Sequence, residues 1–239
     1  FQAIDSPGEL EAALRSFGGA GLLKTRRLGY DGKGQAMIRD RTDAPAALAA
    51  LGGRDLVLES IVPFEREISV VAARGRDGSL AAYDPAENVH RDGILATSLV
   101  PARIGPDTAQ AARAAAFGLL EALDYVGVIG VEFFVVAGGG LLVNEIAPRV
   151  HNSGHWTEAA CAVSQFEQHV RAIAGLPLGA PGRHSDCVME NLIGAEIGRL
   201  AALAGEADVV VHHYGKVETR PGRKMGHFTR LFPRSSLGA

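Results

Sequence analysis

Glu132 and Glu145 lie in two apolar runs, 127–136 and 141–146, joined around Gly138-Gly139. A two-residue Gly-Gly turn pairs Ala137 with Gly140, and the antiparallel count from there sets Glu132 directly opposite Glu145. The two carboxylates are then cross-strand neighbours, with Cβ atoms about 5 Å apart. Both strands are otherwise Val, Leu, Ile and Phe on both faces, so a desolvation cost adds to the repulsion between like charges. A divalent cation removes both problems. Two carboxylates with few other protein ligands suit Mg²⁺, which completes its shell with water and substrate phosphate. The alternative is one exposed Glu and one salt-bridged Glu.

Three further groups could do chemistry. The run Gly29-Tyr30-Asp31-Gly32-Lys33-Gly34-Gln35 has the glycines to fold a backbone over phosphate oxygens, and Lys24 precedes it on a strand as a cation for the same anion. It is not a Walker A loop, since no Gly-Lys-Ser/Thr closes it, and a plain hairpin turn is the competing reading. Glu59-Ser60-Ile61-Val62-Pro63 closes another strand and Glu67 follows. A strand end offers backbone groups to an adenine while a carboxylate takes ribose hydroxyls, although isolated acids are solvated by default, and His90 is by default a loop histidine. Arg149-Val150-His151-Asn152-Ser153-Gly154-His155 follows the Glu145 strand through Ala147-Pro148. Arg as a bidentate clamp with His and Asn as neutral partners suits a small-anion pocket, and an N-cap at Asn152 or Ser153 is compatible with it. The late cluster Lys216, Arg220, Arg223, Lys224 and His227 is a solvated face or a phosphate site, and composition favours the former.

These residues need elements to hold them. At 239 residues, 47% hydrophobic and 21% charged, the chain is globular, with room for one sizeable core and a smaller lobe. The net charge of -3 gives no reason to expect nucleic acid or an anionic membrane. Two cysteines, Cys161 and Cys187, are too few for a disulfide framework and fit a reducing cytoplasm. No apolar run reaches the roughly 18 residues of a membrane span. The chain opens at Phe1 without an initiator Met and reads as the remainder of a longer protein.

Helices are expected at about 7–17, 43–51, 106–123, 155–162 and 164–174. Strands are expected at 21–25, 36–39, 55–59, 68–74, 79–83, 94–100, 187–197 and 207–214, besides the carboxylate hairpin. Residues 88–93 interrupt the 68–83 hairpin. A Pro/Gly-rich linker at 177–182 marks a boundary. The fold class is α+β, divided into a small lobe 1–66, a central lobe 67–182 and a β-rich C-terminal extension 183–239.

The run Tyr30 to Gln35, the stretch Asn144-Glu145-Ile146-Ala147-Pro148-Arg149-Val150-His151-Asn152-Ser153-Gly154-His155-Trp156-Thr157 and Gly215-Lys216 resemble the ATP-grasp superfamily. Within it they resemble the 5-(carboxyamino)imidazole ribonucleotide synthases of purine biosynthesis. The resemblance implies a two-lobed ATP-grasp fold and ATP-dependent carboxylation of aminoimidazole ribonucleotide by bicarbonate through carboxyphosphate. It implies ATP and Mg²⁺, with Mn²⁺ as a substitute, and a homodimer. By position, Lys24 meets ATP phosphate and residues Gly29, Tyr30, Asp31, Gly32, Lys33, Gly34 and Gln35 close over it. Glu59, Ser60, Ile61 and Val62 hold the adenine and Glu67 the ribose, with His90 and Asn144 near the nucleotide. Glu132 and Glu145 bind Mg²⁺. Tyr30, Arg149, His151, Asn152 and Lys216 surround bicarbonate, and Asp31, Arg223 and Lys224 the ribonucleotide.

Ala147 stands where many ATP-grasp ligases carry a metal-binding Asn, although the resembled family itself tends to have Ala there, so the expectation of a tightly held second metal is weaker than in those ligases. The resembled family also has an N-terminal α/β domain that is expected to be missing here. The competing functions are another ATP-grasp ligase, such as a formate-dependent glycinamide ribonucleotide transformylase, and an ATP-binding remnant without turnover.

Overall fold

The computed structural model describes residues 1–27 and 33–237 and divides into two compact units, Phe1–Pro63 with Asp92–Ile94, and Phe64–Arg91 with Leu95–Ala239. In the first unit β1 (Gln2–Ile4), β2 (Gly21–Thr25), β3 (Gln35–Ile38) and β4 (Leu56–Glu59) form a sheet of order β1-β4-β2-β3. Helices α1 (Pro7–Ser16) and α2 (Ala44–Ala50) pack on it. The Ser6 hydroxyl accepts from the Glu9 N–H and Pro7 opens α1. Its apolar stripe, Leu10, Ala13 and Leu14, is buried with Leu23, Leu56 and Leu58 of the sheet. The three-residue β1 is too short to carry a period and escaped the sequence reading.

The second unit contains β5 (Arg66–Arg74), β6 (Leu80–Ala82), β7 (Ala86–Arg91), β8 (Ile94–Val100), β9 (Gly127–Val135), β10 (Leu141–Ala147), β11 (Asp186–Ile193), β12 (Val209–His213) and β13 (Lys224–Phe232). Among the described residues they make one nine-stranded sheet, ordered β10-β9-β5-β7-β8-β11-β13-β12 with β6 on β5. Helices α3 (Pro106–Ala122), α4 (Thr157–Ala160), α5 (Gln165–Ala174) and α6 (Leu200–Leu203) complete the unit. Ile68, Val70 and Ala72 of β5 and Ile129, Val131 and Phe133 of β9 pack with Ala112, Ala116 and Leu120 of α3. Val71, Ala73 and Val128, on the alternate face, pack with Trp156 and Ala160. Strand alternation therefore puts Glu132 on the face away from α3.

Three expectations are corrected. Residues 88–91 do not interrupt the sheet: they belong to β7, and Asp92 (φ 53°) with Gly93 (φ 74°) turns the chain into β8. Strand β11 ends at Ile193, where a 3-10 turn from Gly194 to Arg199 begins. The segment starting at Lys224, read as basic surface, opens the nine-residue strand β13. Among the described residues, 183–237 form no separate sheet, because β11 pairs with β8 on one side and β13 on the other. No helix among the described residues is long and apolar enough to cross a membrane.

A buried acid sits within this sheet. Glu87 of β7 takes two hydrogen bonds from the Arg103 guanidinium (3.1 and 2.5 Å), one from the Arg103 N–H (3.1 Å) and one from Arg66 (3.1 Å). Burial pushes its carboxyl up, but Arg103 and Arg66 outweigh that and hold it below the ordinary 4.5. A depressed carboxylate contributes stability above its unfolded pKa and loses it as pH falls through the folded one. Glu87→Gln is therefore expected to cost about 1 to 3 kcal/mol at neutral pH. The difference from the unaltered chain should shrink as pH drops below 4.5, read by urea unfolding at several pH values. A gap independent of pH would contradict the ion-pair assignment.

Candidate functional site

The carboxylate pair is present, and the chain reaches it by an unexpected route. The turn closes between Val136 and Gly140, whose backbone bond is 2.9 Å, so Leu141 faces Val135 and Val143 faces Phe133. Gly138 and Gly139 both take φ 80° there, which β-carbon-bearing residues rarely adopt. On that register Glu132 would face Asn144. A bulge between Val143 and Glu145 inserts one extra residue and brings Glu145 opposite Glu132. The expected two-residue turn is therefore replaced by a longer turn plus a compensating bulge at Asn144.

The environment of the two acids is unequal. Strand β9 is buried, and Glu132 is 9% exposed. Strand β10 is a sheet edge, where Leu142, Val143 and Ile146 are 47%, 52% and 38% exposed and Glu145 is also exposed. The expected burial of both strands thus holds only for β9, and the desolvation cost falls on Glu132. Burial is the largest reason that its carboxyl is raised above 4.5, and the Glu145 and Glu67 charges add to it against His90 and Lys224. Ser69, directly opposite Glu132 on β5, has a buried hydroxyl with no hydrogen-bond partner among the described residues. A raised acid, a like charge across from it and an orphaned hydroxyl fit a divalent cation with oxygen ligands.

Other expected residues of this unit gather around Glu132. Glu67 lies two positions from Ser69 on the same face of β5, and its carboxylate is 2.6 Å from His90 Nδ1. Burial works against the His90 charge, but the Glu67 bond and charge, with Glu132 behind them, raise it above 6.5. His151 Nε2 is 3.8 Å from Glu132 Oε1. Burial, helped by the Arg149 charge, pushes His151 down to about 4, so its ring is neutral. The Lys224 charge acts on His90, Glu132 and His151 alike, so its influence reaches this cluster and is not confined to a remote basic face.

Residues that the sequence reading did not single out fix His151 and Asn152. The buried Gln165 amide accepts from the His151 N–H (2.9 Å) and donates to the His151 carbonyl (2.7 Å). Asn152 and Asn191 exchange amide hydrogen bonds of 3.0 and 2.7 Å, and Asn191 also donates to the Leu95 carbonyl. His151, not Asn152 or Ser153, caps the 3-10 turn that follows. Pairs so far apart in the chain leave no local pattern to read.

The remaining expected residues are less convergent. Arg149 is exposed and donates to its neighbour's carbonyl, Val150 O, at 2.9 Å. Lys216 donates to the Lys224 carbonyl at 2.5 Å and lies 5.5 Å from the Tyr214 ring centre. Arg223 donates to the Glu218 carbonyl. In the first unit Lys24 Nζ is 2.6 Å from Glu59 Oε2, a diagonal pair across β2 and β4. Gly34 (φ 73°) accepts from the Thr25 N–H, Gln35 faces Lys24, and Lys33 precedes them. Ser60, Ile61 and Val62 follow β4 outside regular structure. Gly29, Tyr30, Asp31 and Gly32 lie outside the described residues.

The model of the ATP-grasp domain family matches residues 1–166, and that of the phosphoribosylaminoimidazole carboxylase C-terminal domain matches residues 187–236. The chain belongs to the ATP-grasp family. It is 61% identical, over 98% of its length, to the N5-carboxyaminoimidazole ribonucleotide synthase of Brucella melitensis biotype 1, and spans 66% of that relative. The N5-carboxyaminoimidazole ribonucleotide synthetase of Thermus thermophilus is 47% identical with a TM-score of 0.87, covering 96% of this chain and 62% of its own. The Aspergillus clavatus synthase in complex with ADP and 5-aminoimidazole ribonucleotide is 31% identical with a TM-score of 0.90, covering 98% and 64%.

Gly130 makes the approach of His151 to Glu132 sterically feasible. A Cβ on Gly130 would stand 2.6 Å from His151 Cβ, inside any real contact between such atoms. Gly130→Ala is expected to destabilise the chain by about 1 to 3 kcal/mol in thermal unfolding and to displace the His151 ring resonances in NMR spectra. Unchanged stability and unchanged ring resonances would contradict this packing.

Proposed function

We propose that the chain supplies the nucleotide and metal-binding portion of an enzyme that carboxylates 5-aminoimidazole ribonucleotide with bicarbonate and ATP. The observation that carries this reading is the Glu132–Glu145 pair at the Asn144 bulge, found in a chain whose relatives bear the name of that synthase. Mg²⁺ would be held by Glu132 and Glu145 and would neutralise charge on the nucleotide phosphates. Mn²⁺ could take the same oxygen ligands.

In the proposed reaction a bicarbonate oxygen attacks the γ-phosphorus of ATP and the bond to ADP breaks, giving carboxyphosphate. The exocyclic amine of the ribonucleotide then attacks the carboxyl carbon. Phosphate leaves, the amine proton is lost, and N5-carboxyaminoimidazole ribonucleotide remains. Phosphoryl transfer depends mainly on positioning and electrostatics, and Lys24 is assigned to a phosphate in that sense. Glu59, Ser60, Ile61 and Val62 are assigned to adenine, Glu67 to ribose, and His90 and Asn144 to its vicinity. Gly29, Tyr30, Asp31, Gly32, Lys33, Gly34 and Gln35 are assigned to covering the phosphates, which protects carboxyphosphate from water.

His151 enters as a neutral imidazole, able to donate to or accept from bicarbonate without adding charge beside Glu132. Tyr30, Arg149, Asn152 and Lys216 are assigned to the same anion, and Asp31, Arg223 and Lys224 to the ribonucleotide. The two cysteines are unpaired and buried, which supports a cytoplasmic setting. A homodimer belongs to the same proposal.

The test is ADP release from MgATP and bicarbonate, with and without aminoimidazole ribonucleotide, on this chain and on a form extended to the relatives' full length. Stimulation by the ribonucleotide in the longer form is the expected result. Formate with glycinamide ribonucleotide should give none. Glu145→Gln in that form should lower Mg²⁺-dependent turnover by about a hundredfold or more. Near-normal turnover would remove Glu145 from the metal site, and absence of stimulation would reject the substrate.

A further inference from the structure

A second group of metal-competent side chains lies in the larger unit, apart from the residues just assigned. His155 precedes α4, Glu158 is in its first turn, and His227 is on β13. One ligand atom from each lies within 4.8 Å of the other two. His155 Nδ1 and His227 Nε2 are each 3.8 Å from Glu158 Oε2. That is too long for a hydrogen bond, yet both nitrogens are shielded from water and have no other hydrogen-bond partner among the described residues. His227 is 1% exposed. Buried polar atoms are normally bonded, and each one left unbonded requires an explanation.

Two neighbours shape the group. His212 faces His227 across β12 and β13, with the rings stacked at 4.6 Å, and its Nδ1 is 3.9 Å from Glu158 Oε1. The Tyr214 hydroxyl is 2.7 Å from His227 Nδ1. If the His227 Nδ1–H donates to that hydroxyl, the Nε2 lone pair points toward the Glu158 carboxylate. Two electron-rich atoms then face each other, the imidazole buried and the carboxylate partly exposed, an arrangement that a cation resolves.

We propose that His155 Nδ1, His227 Nε2 and Glu158 Oε2 form a binding site for a zinc-class divalent cation, with Tyr214 and His212 positioning two of the ligands. Two imidazoles and a carboxylate suit Zn²⁺ or Co²⁺, whereas Mg²⁺ prefers an all-oxygen shell. Metal–ligand bonds of about 2.0–2.1 Å place tetrahedral ligand atoms roughly 3.3 Å apart, so the group must close by about 0.5 to 1.5 Å. Glu158, whose side chain is 27% exposed, is the member with room to move. Three protein ligands leave one position for water. Hydrogen bonding of His227 Nδ1 to Tyr214 is the outer contact that fixes a ligating imidazole. The ion would tie the segment leading from His151 and Asn152 to β13.

The test is titration of the metal-free chain with Zn²⁺ by calorimetry and with Co²⁺ by visible absorption, in excess Mg²⁺ to occupy the carboxylate pair. One equivalent of Zn²⁺ and an intense Co²⁺ spectrum of low coordination number are expected. Glu158→Gln and His155→Gln should each weaken Zn²⁺ binding by about tenfold or more, and Glu145→Gln should leave it unchanged. Circular dichroism checks that each variant is folded, and the Co²⁺ spectrum of the unaltered chain decides the matter if one is not. Absence of that spectrum, Zn²⁺ binding unaltered in both Glu158→Gln and His155→Gln, or loss of binding in Glu145→Gln would overturn the proposal.

Discussion

A carboxylate that cannot leave its strand, with a second carboxylate aimed at it, is the constraint around which the larger unit is arranged. Glu132 is in β9, paired on one side with β5 and on the other with β10, so its backbone is fixed by two ladders. Burial makes its charge costly, and Glu145 and Glu67 make it costlier. Nearby groups answer that cost in two ways. His90, whose imidazole is itself held above its ordinary range by Glu67, and Lys224 both favour the charged carboxylate, while burial holds His151 well below its ordinary range.

The support for this arrangement is steric as well as electrostatic. His151 can approach only because Gly130 has no side chain, and its backbone is held on both sides by one buried amide, Gln165. Gly154 shows the same relation in reverse, since a Cβ there would stand 2.6 Å from the Gln165 oxygen. Within the polar segment after β10, His151, Asn152 and Gly154 are therefore packed in place, and their hydrogen bonds are largely used within the protein.

Much of this was legible in the sequence where local pattern decides structure. Helices α1 and α5 were expected at about 7–17 and 164–174, close to where the Ser6, Ser164 and Gly175 caps bound them. The facing of Glu132 and Glu145 was also anticipated, but a turn one residue longer and a bulge of one residue cancelled. Hydrophobic period cannot distinguish that path from the simple one, because β9 is apolar on both faces. Strand β13 was hidden for a different reason: Lys224 and His227 read as part of a solvated basic face, yet Met225 through Thr229 are buried by neighbours far away in sequence. Asn191, which holds Asn152 from β11, was equally beyond local reasoning.

The Pro/Gly-rich stretch at 177–182 has the composition of a flexible spacer and is tied down instead. The Gln168 side chain donates to the Gly179 carbonyl and accepts from the Gly179 N–H, both at 2.8 Å, imitating a strand partner with one amide. Gly179 has Val163 so close that an added Cβ would stand 2.5 Å from a methyl group. A protease must draw several residues of a substrate into an extended form before cutting, and this stretch can offer them only after Gln168 lets go. The segment that looks easiest to sever is thus guarded by a helix, and dissecting the protein there would remove a packed part of it.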